Sequence, residues 1–122
     1  AKEFLEDFGP HQKFNYRRDS IDKPPQLFIR AVRLRDPESG KGGPWLAGMT
    51  LDPESVHEAW CHQRRYVCMI EEIGERPVRA GQSFGAAFIV GWFDSIEEMH
   101  AVYDAHQGAS RLEVDAHGWQ LK

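Results

Sequence analysis

The run Phe84–Phe93 (FGAAFIVGWF) carries no charged residue and is apolar at almost every position. It is far shorter than the roughly 20 apolar residues that a membrane-spanning helix needs. Read as a strand, it places Phe84, Ala86, Phe88, Val90 and Trp92 on one face and Gly85, Ala87, Ile89, Gly91 and Phe93 on the other. A sheet with one face in water would alternate apolar with polar residues. Here both faces ask for cover, and any fold for this chain has to supply it twice.

The segments around this run predict an α+β order. Gln26–Leu34 (QLFIRAVRL) is rich in strand formers, and Asp36–Pro44 (DPESGKGGP) reads as a long loop that also holds Trp45 at its end. Asp52 as cap and Pro53 at the first helical position predict a helix over Ser55–Gln63, with Val56, Ala59, Trp60 and Gln63 on one stripe. Tyr66–Ile73 (YVCMIEEI) is a second strand, Gly74–Ser83 a hairpin connection, and Phe84–Phe93 the third strand. Ser95 with Glu98 three residues later forms a capping box, followed by Ile96, Met99, Val102, Tyr103 and His106 at helical spacing. Gly108 closes that helix. Leu112–Val114 and Trp119–Leu121 end the chain as strand around a turn at Asp115–Gly118.

The predicted fold is therefore ferredoxin-like, β-α-β-β-α-β, a four-stranded antiparallel sheet with two helices on one face. Residues 1–25 are expected to be an N-terminal arm that ends at Lys23-Pro24-Pro25, and residues 26–122 the domain. Phe4, Leu5, Phe8, Phe14 and Tyr16 imply that the arm packs on its own domain or on another subunit. The second apolar sheet face predicts a homodimer packed sheet to sheet.

Charge and cysteine content narrow the function. A net charge of −4, with Arg and Lys in short groups separated by acids, does not suit a nucleic-acid partner. The two cysteines, Cys61 and Cys68, form no disulfide framework and no zinc spacing. Free thiols and a charged start, Ala1-Lys2-Glu3-Phe4, predict a cytoplasmic protein that no membrane holds. No Walker A, GxGxxG, GxSxG or paired-histidine cupin motif is present, so no metal and no cofactor are expected.

The candidate chemistry concentrates in His57-Glu58-Ala59-Trp60-Cys61-His62. On a helix, His57 meets Cys61 and Glu58 meets His62. Glu58 could then orient His62 as a general acid or base, and His57 could activate Cys61. The plainer reading packs Trp60 in the core and leaves its polar neighbours at the surface. Trp92, Asp94, Tyr66 and Trp45 could rim a pocket for a small apolar or ring-shaped ligand, or be core aromatics and a capping acid. Arg30 could bind a substrate anion or pair with Glu71, Glu72 or Glu113. His100 and His106 fall on the second predicted helix, and His106, in its apolar stripe, reads as structural.

The stretch Val90-Gly91-Trp92-Phe93-Asp94-Ser95-Ile96-Glu97-Glu98 resembles the strand-to-helix junction of EthD-type and related stress-responsive domains of the dimeric α/β-barrel group. The resemblance covers roughly residues 26–121. It implies two ferredoxin-like subunits packed sheet to sheet with a pocket between sheet and helices. Members of that group include monooxygenases, lyases, cyclases, mutarotases and heme-binding enzymes. The function expected is cofactor-independent acid–base chemistry of isomerase, lyase or cyclase type, with a non-catalytic binding or assembly module as the alternative.

Overall fold

A computed structural model describes residues 1–6, 15–18, 25–60, 68–74 and 77–122. Among these the chain forms nine strands and one α-helix: β1 (Lys2–Leu5), β2 (Asn15–Arg17), β3 (Phe28–Arg35), β4 (Gly42–Thr50), β5 (Val56–Trp60), β6 (Ile70–Ile73), β7 (Phe88–Phe93), α1 (Ile96–His106), β8 (Leu112–Asp115) and β9 (Gly118–Leu121). The main sheet runs β1-β3-β4-β7, a second sheet runs β2-β5-β6, and β8-β9 is a separate hairpin. This replaces the expected two-helix ferredoxin-like fold. The main sheet has four strands, but β1 joins β3 in parallel, and one helix covers it.

Two local features account for the correction. The first is the helix expected over Ser55–Gln63. Asp52 does cap, accepting from the Glu54 amide, but what it caps is a 3₁₀ turn, Pro53–Ser55. The chain then extends as β5, and residues 61–67 lie outside the described residues. The stripe that looked helical has another origin. The register of β5 on β6 slips between Val56 and Glu58, so Val56 and Ala59 both bury, although three residues apart. A β-bulge thus imitates helical spacing.

The second is the loop expected over Asp36–Pro44. Asp36 accepts hydrogen bonds from the Glu38 and Ser39 amides, and Gly40 takes a φ of 68°, so the turn is complete by Lys41. β4 follows at once and lies between β3 and β7 in the main sheet, with Trp45 buried on it. Pro44 has no amide to give the ladder. It sits beside the register irregularity at Arg33–Arg35, before the pairing with β7 begins at Trp45.

The two faces of the main sheet are covered differently. Ile29, Ala31, Trp45, Ala47, Met49 and Phe93 pack with Met99 and Tyr103 of α1 in the larger core cluster. The Tyr103 hydroxyl accepts from the Phe28 amide at 3.2 Å and donates to the Thr50 carbonyl at 3.1 Å, which fixes the helix to the ends of β3 and β4. On the opposite face Phe28 packs with Val56 and Ala59, so the chain's own second sheet covers that end. No partner subunit is needed there. β1 and β2 bring the arm residues Phe4 and Tyr16 into these two clusters.

The helix expected after Phe93 is present. Ser95 accepts from the Glu98 amide at 3.1 Å, and Glu98 Oε2 accepts from the Asp94 amide at 2.8 Å. Met99 and Tyr103 are fully buried, Ile96 and Val102 pack against the same core, and Gly108 follows the helix with a φ of 86°. Ser95→Ala should therefore lower stability by about 1 kcal/mol, and Ser95→Asp should be nearly neutral, in urea unfolding. Equal losses in both variants would show that the hydroxyl does something other than cap.

Candidate functional site

The site is built where the two sheets face each other. In the second sheet Tyr16, Ala59 and Glu71 lie directly across from one another. Directly paired residues share a sheet face. Ala59 is fully buried, so this row points at the main sheet. Glu71 therefore faces inward, while Glu72 and Glu58 form the row that faces away. In the main sheet the opposing rows are Phe28–Thr50–Phe88 and Arg30–Gly48–Val90.

Arg30 lies between the sheets and is only 4% exposed. Its Nη1 donates to Glu3 Oε2 at 3.0 Å. The guanidinium carbon stands 5.1 Å from the centre of the Phe28 ring and 5.9 Å from that of Tyr16. Burial pulls the Arg30 pKa down, and the charges of Glu3 first and then of Glu71 and Tyr16 pull it back up. A buried cation of this kind is tolerated because acids and aromatic faces surround it.

Beside it opens an apolar cleft of about 180 Å³, lined by Gly48, Met49, Met69, Glu71, Ile73, Phe88 and Val90. Gly48 is its floor. A Cβ there would stand 3.0 Å from Met69 Sδ, so the missing side chain is what lets the second sheet approach and leaves the space open. Among the lining residues Glu71 alone is titratable. Its carboxylate accepts from the Thr50 hydroxyl. Burial raises the Glu71 pKa, and the Thr50 bond and the Arg30 charge offset part of that rise. An acid held in an apolar cavity keeps its proton to higher pH than one in water and is a stronger base once it has lost it.

The residues singled out from sequence are dispersed around this cleft. His62 and Tyr66 lie outside the described residues. Glu58 is on strand β5 and not on the expected helix, and its Oε1 takes Arg17 Nε at 3.0 Å. His57 is half-buried on β5, where its carbonyl accepts from the Arg18 amide. Asp94 is exposed ahead of α1. Trp45 is buried on the helix side of the main sheet, away from Arg30, and lies edge-on to Phe4. Trp92 shares the face of Arg30 but stands exposed, one row beyond the cleft. Among the described residues of the set, Arg30 alone adjoins the carboxyl. Glu71 entered the sequence reading only as a partner for Arg30. The signal for more was the Glu71–Glu72 pair between Ile70 and Ile73, since in a strand one of two adjacent acids must face inward.

Among the described residues no group of three or more His, Cys, Asp or Glu could hold a metal ion, and no helix is long and apolar enough to cross a membrane. No family model, no curated protein and no solved structure matches the chain.

The raised Glu71 pKa sets a pH dependence of stability. Below the ordinary value of 4.5 the folded and unfolded chains both hold the proton, and the carboxyl costs nothing. As pH rises the unfolded chain loses its proton first, so stability falls until the folded carboxyl ionises too, and then levels off. Glu71→Gln keeps an acceptor for Thr50 and removes this fall. Denaturation midpoints measured from about pH 4 to 8 should shift in favour of the variant as pH rises. Parallel curves would mean that the carboxyl is hydrated.

Proposed function

We propose that the cleft between the sheets binds a small, neutral, largely apolar organic molecule of about one ring, carrying one oxygen, and that Glu71 exchanges a proton with it. The observation that supports this is a single inward carboxyl in a cavity otherwise lined by apolar groups. A volume of about 180 Å³ is close to the roughly 150 Å³ cavity that accepts benzene. A charged ligand would meet the same desolvation that raises the Glu71 pKa, whereas a carbonyl or hydroxyl can accept from the protonated carboxyl.

Isomerisation is the acid–base chemistry that one carboxyl can complete alone. Glu71 as carboxylate takes a proton from the carbon next to a carbonyl, and as acid returns it two carbons further along the enolate. A double bond moves into conjugation, and no other reactant is consumed. Binding without turnover is the second reading. It is favoured by the absence, among the described lining residues, of a second titratable group to support the enolate oxygen. The chain is proposed to act without a cofactor.

The test uses cyclohex-3-enone, whose conversion to the conjugated isomer is followed by ultraviolet absorbance, together with phenol, benzamide and benzoate as binding probes. Neutral probes should raise the unfolding temperature and benzoate should not. Gly48→Val, which fills the floor, should abolish that effect. Glu71→Gln should slow any isomerisation at least ~100-fold while binding persists. Binding with no turnover would select the second reading, and no binding by any probe, or binding unchanged in Gly48→Val, would sink the proposal.

A further inference from the structure

Two strips of apolar side chains stand in water on the described chain. The first is Phe88, Val90 and Trp92 on β7, the end strand of the main sheet among the described residues. The second is Leu112, Val114 and Trp119 on the β8-β9 hairpin. These six residues are each between 56% and 72% exposed. Nothing on β7 protects the strip, since Phe84–Phe93 holds no charge and no proline, the usual guards of an end strand.

The hairpin is two-faced. Val114 lies across from Trp119 and Leu112 across from Leu121, which makes one face wholly apolar. Glu113, across from Gln120 on the other face, pairs with Arg111 at 2.8 Å and Lys122 at 3.8 Å. The apolar face begins against the core at Leu121 and runs out into solvent toward the turn. A two-stranded hairpin is marginal in water unless something packs on such a face.

We infer that this surface is an interface with a second copy of the chain, in which the hairpin of each copy packs its Val114–Trp119 face on the Phe88–Val90–Trp92 strip of the other. This differs from the packing of two four-stranded sheets face to face. Three features favour a second copy. One two-fold contact covers both strips in both subunits, whereas either strip packed on itself leaves the other in water. Each strip pairs aromatic with aliphatic residues, and neither presents a charge that opposes the other. The exposed parts of the six side chains come to roughly 600 Å², the low end of the roughly 600–1,000 Å² per partner of a standard stable interface. Phe88 and Val90 also line the open end of the cleft, so the contact borders that end, but the dimer does not require that the cleft bind a ligand.

Sedimentation of the full chain at micromolar concentration should give twice the 14.0 kDa chain mass. Val114→Glu on the hairpin and Trp92→Lys on β7 should each give the single-chain mass with an unchanged far-ultraviolet circular dichroism spectrum. Trp119→Lys replaces Val114→Glu if that variant loses its spectrum. A wild-type chain that sediments as a monomer overturns the inference. A dimer broken by Trp92→Lys and untouched by both hairpin variants also overturns it, because β7 would then pack on itself. A concentration-dependent ladder of larger species would show an open contact and would equally contradict the closed pair.

Discussion

The guanidinium of Arg30 is the constraint around which the two sheets are arranged. A cation this deeply removed from water is stable only with counter-charges and polarisable faces in reach. Three separate segments supply them: Glu3 from β1, Tyr16 from β2 and Glu71 from β6, with Phe28 from its own strand. Arg30 thus ties the N-terminal residues and the second sheet to the main sheet. The surface pairs Arg33–Glu6 and Arg111–Glu113 lie at similar distances but in water, where salt screens them and they contribute little. Burial, rather than the number of ion pairs, makes the Arg30 contact matter.

The cleft follows from the same arrangement. With Arg30 and Glu71 both drawn inward, the sheets need space between them for polar groups, and Gly48 provides it. Apolar packing closes the Phe28–Val56–Ala59 end, and Met69, Phe88 and Val90 leave the other end open. The helix side is closely packed. There Met99 and Tyr103 fill the core, and the Tyr103 hydroxyl ties up backbone groups at the strand ends. One sheet therefore carries a closed core on one face and a partly open, chemically poised face on the other.

The parts legible from sequence are those whose signals are local. The Ser95–Glu98 cap, the Met99–Tyr103 stripe, the β3 strand and the final hairpin each depend on residues a few positions apart. β4 was hidden because Gly42, Gly43, Pro44 and Gly48 are poor strand formers in isolation. Their places are set by the hairpin turn, the register irregularity and the approach of Met69, which only the assembled sheets define. β5 was misread because a bulge reproduced helical spacing at Val56 and Ala59. His57 and Glu58 fall on that strand and not on the expected helix for the same reason. Arg30 was recognisable as an inward charge, but the inward acid became visible only when the Tyr16–Ala59–Glu71 row was placed across from Arg30 and Thr50.

The central claim is that the space between the sheets is dry enough for burial to outweigh both the Thr50 hydrogen bond and the Arg30 charge at Glu71. Carbon-13 NMR of the glutamate side-chain carboxyls, with Glu71 assigned by its loss in Glu71→Gln, measures this directly. The account predicts a Glu71 titration midpoint above the ordinary 4.5. A midpoint at or below the ordinary value would mean that Arg30 and Thr50 dominate, and that the carboxyl is one half of a structural ion pair and not a group poised for proton exchange.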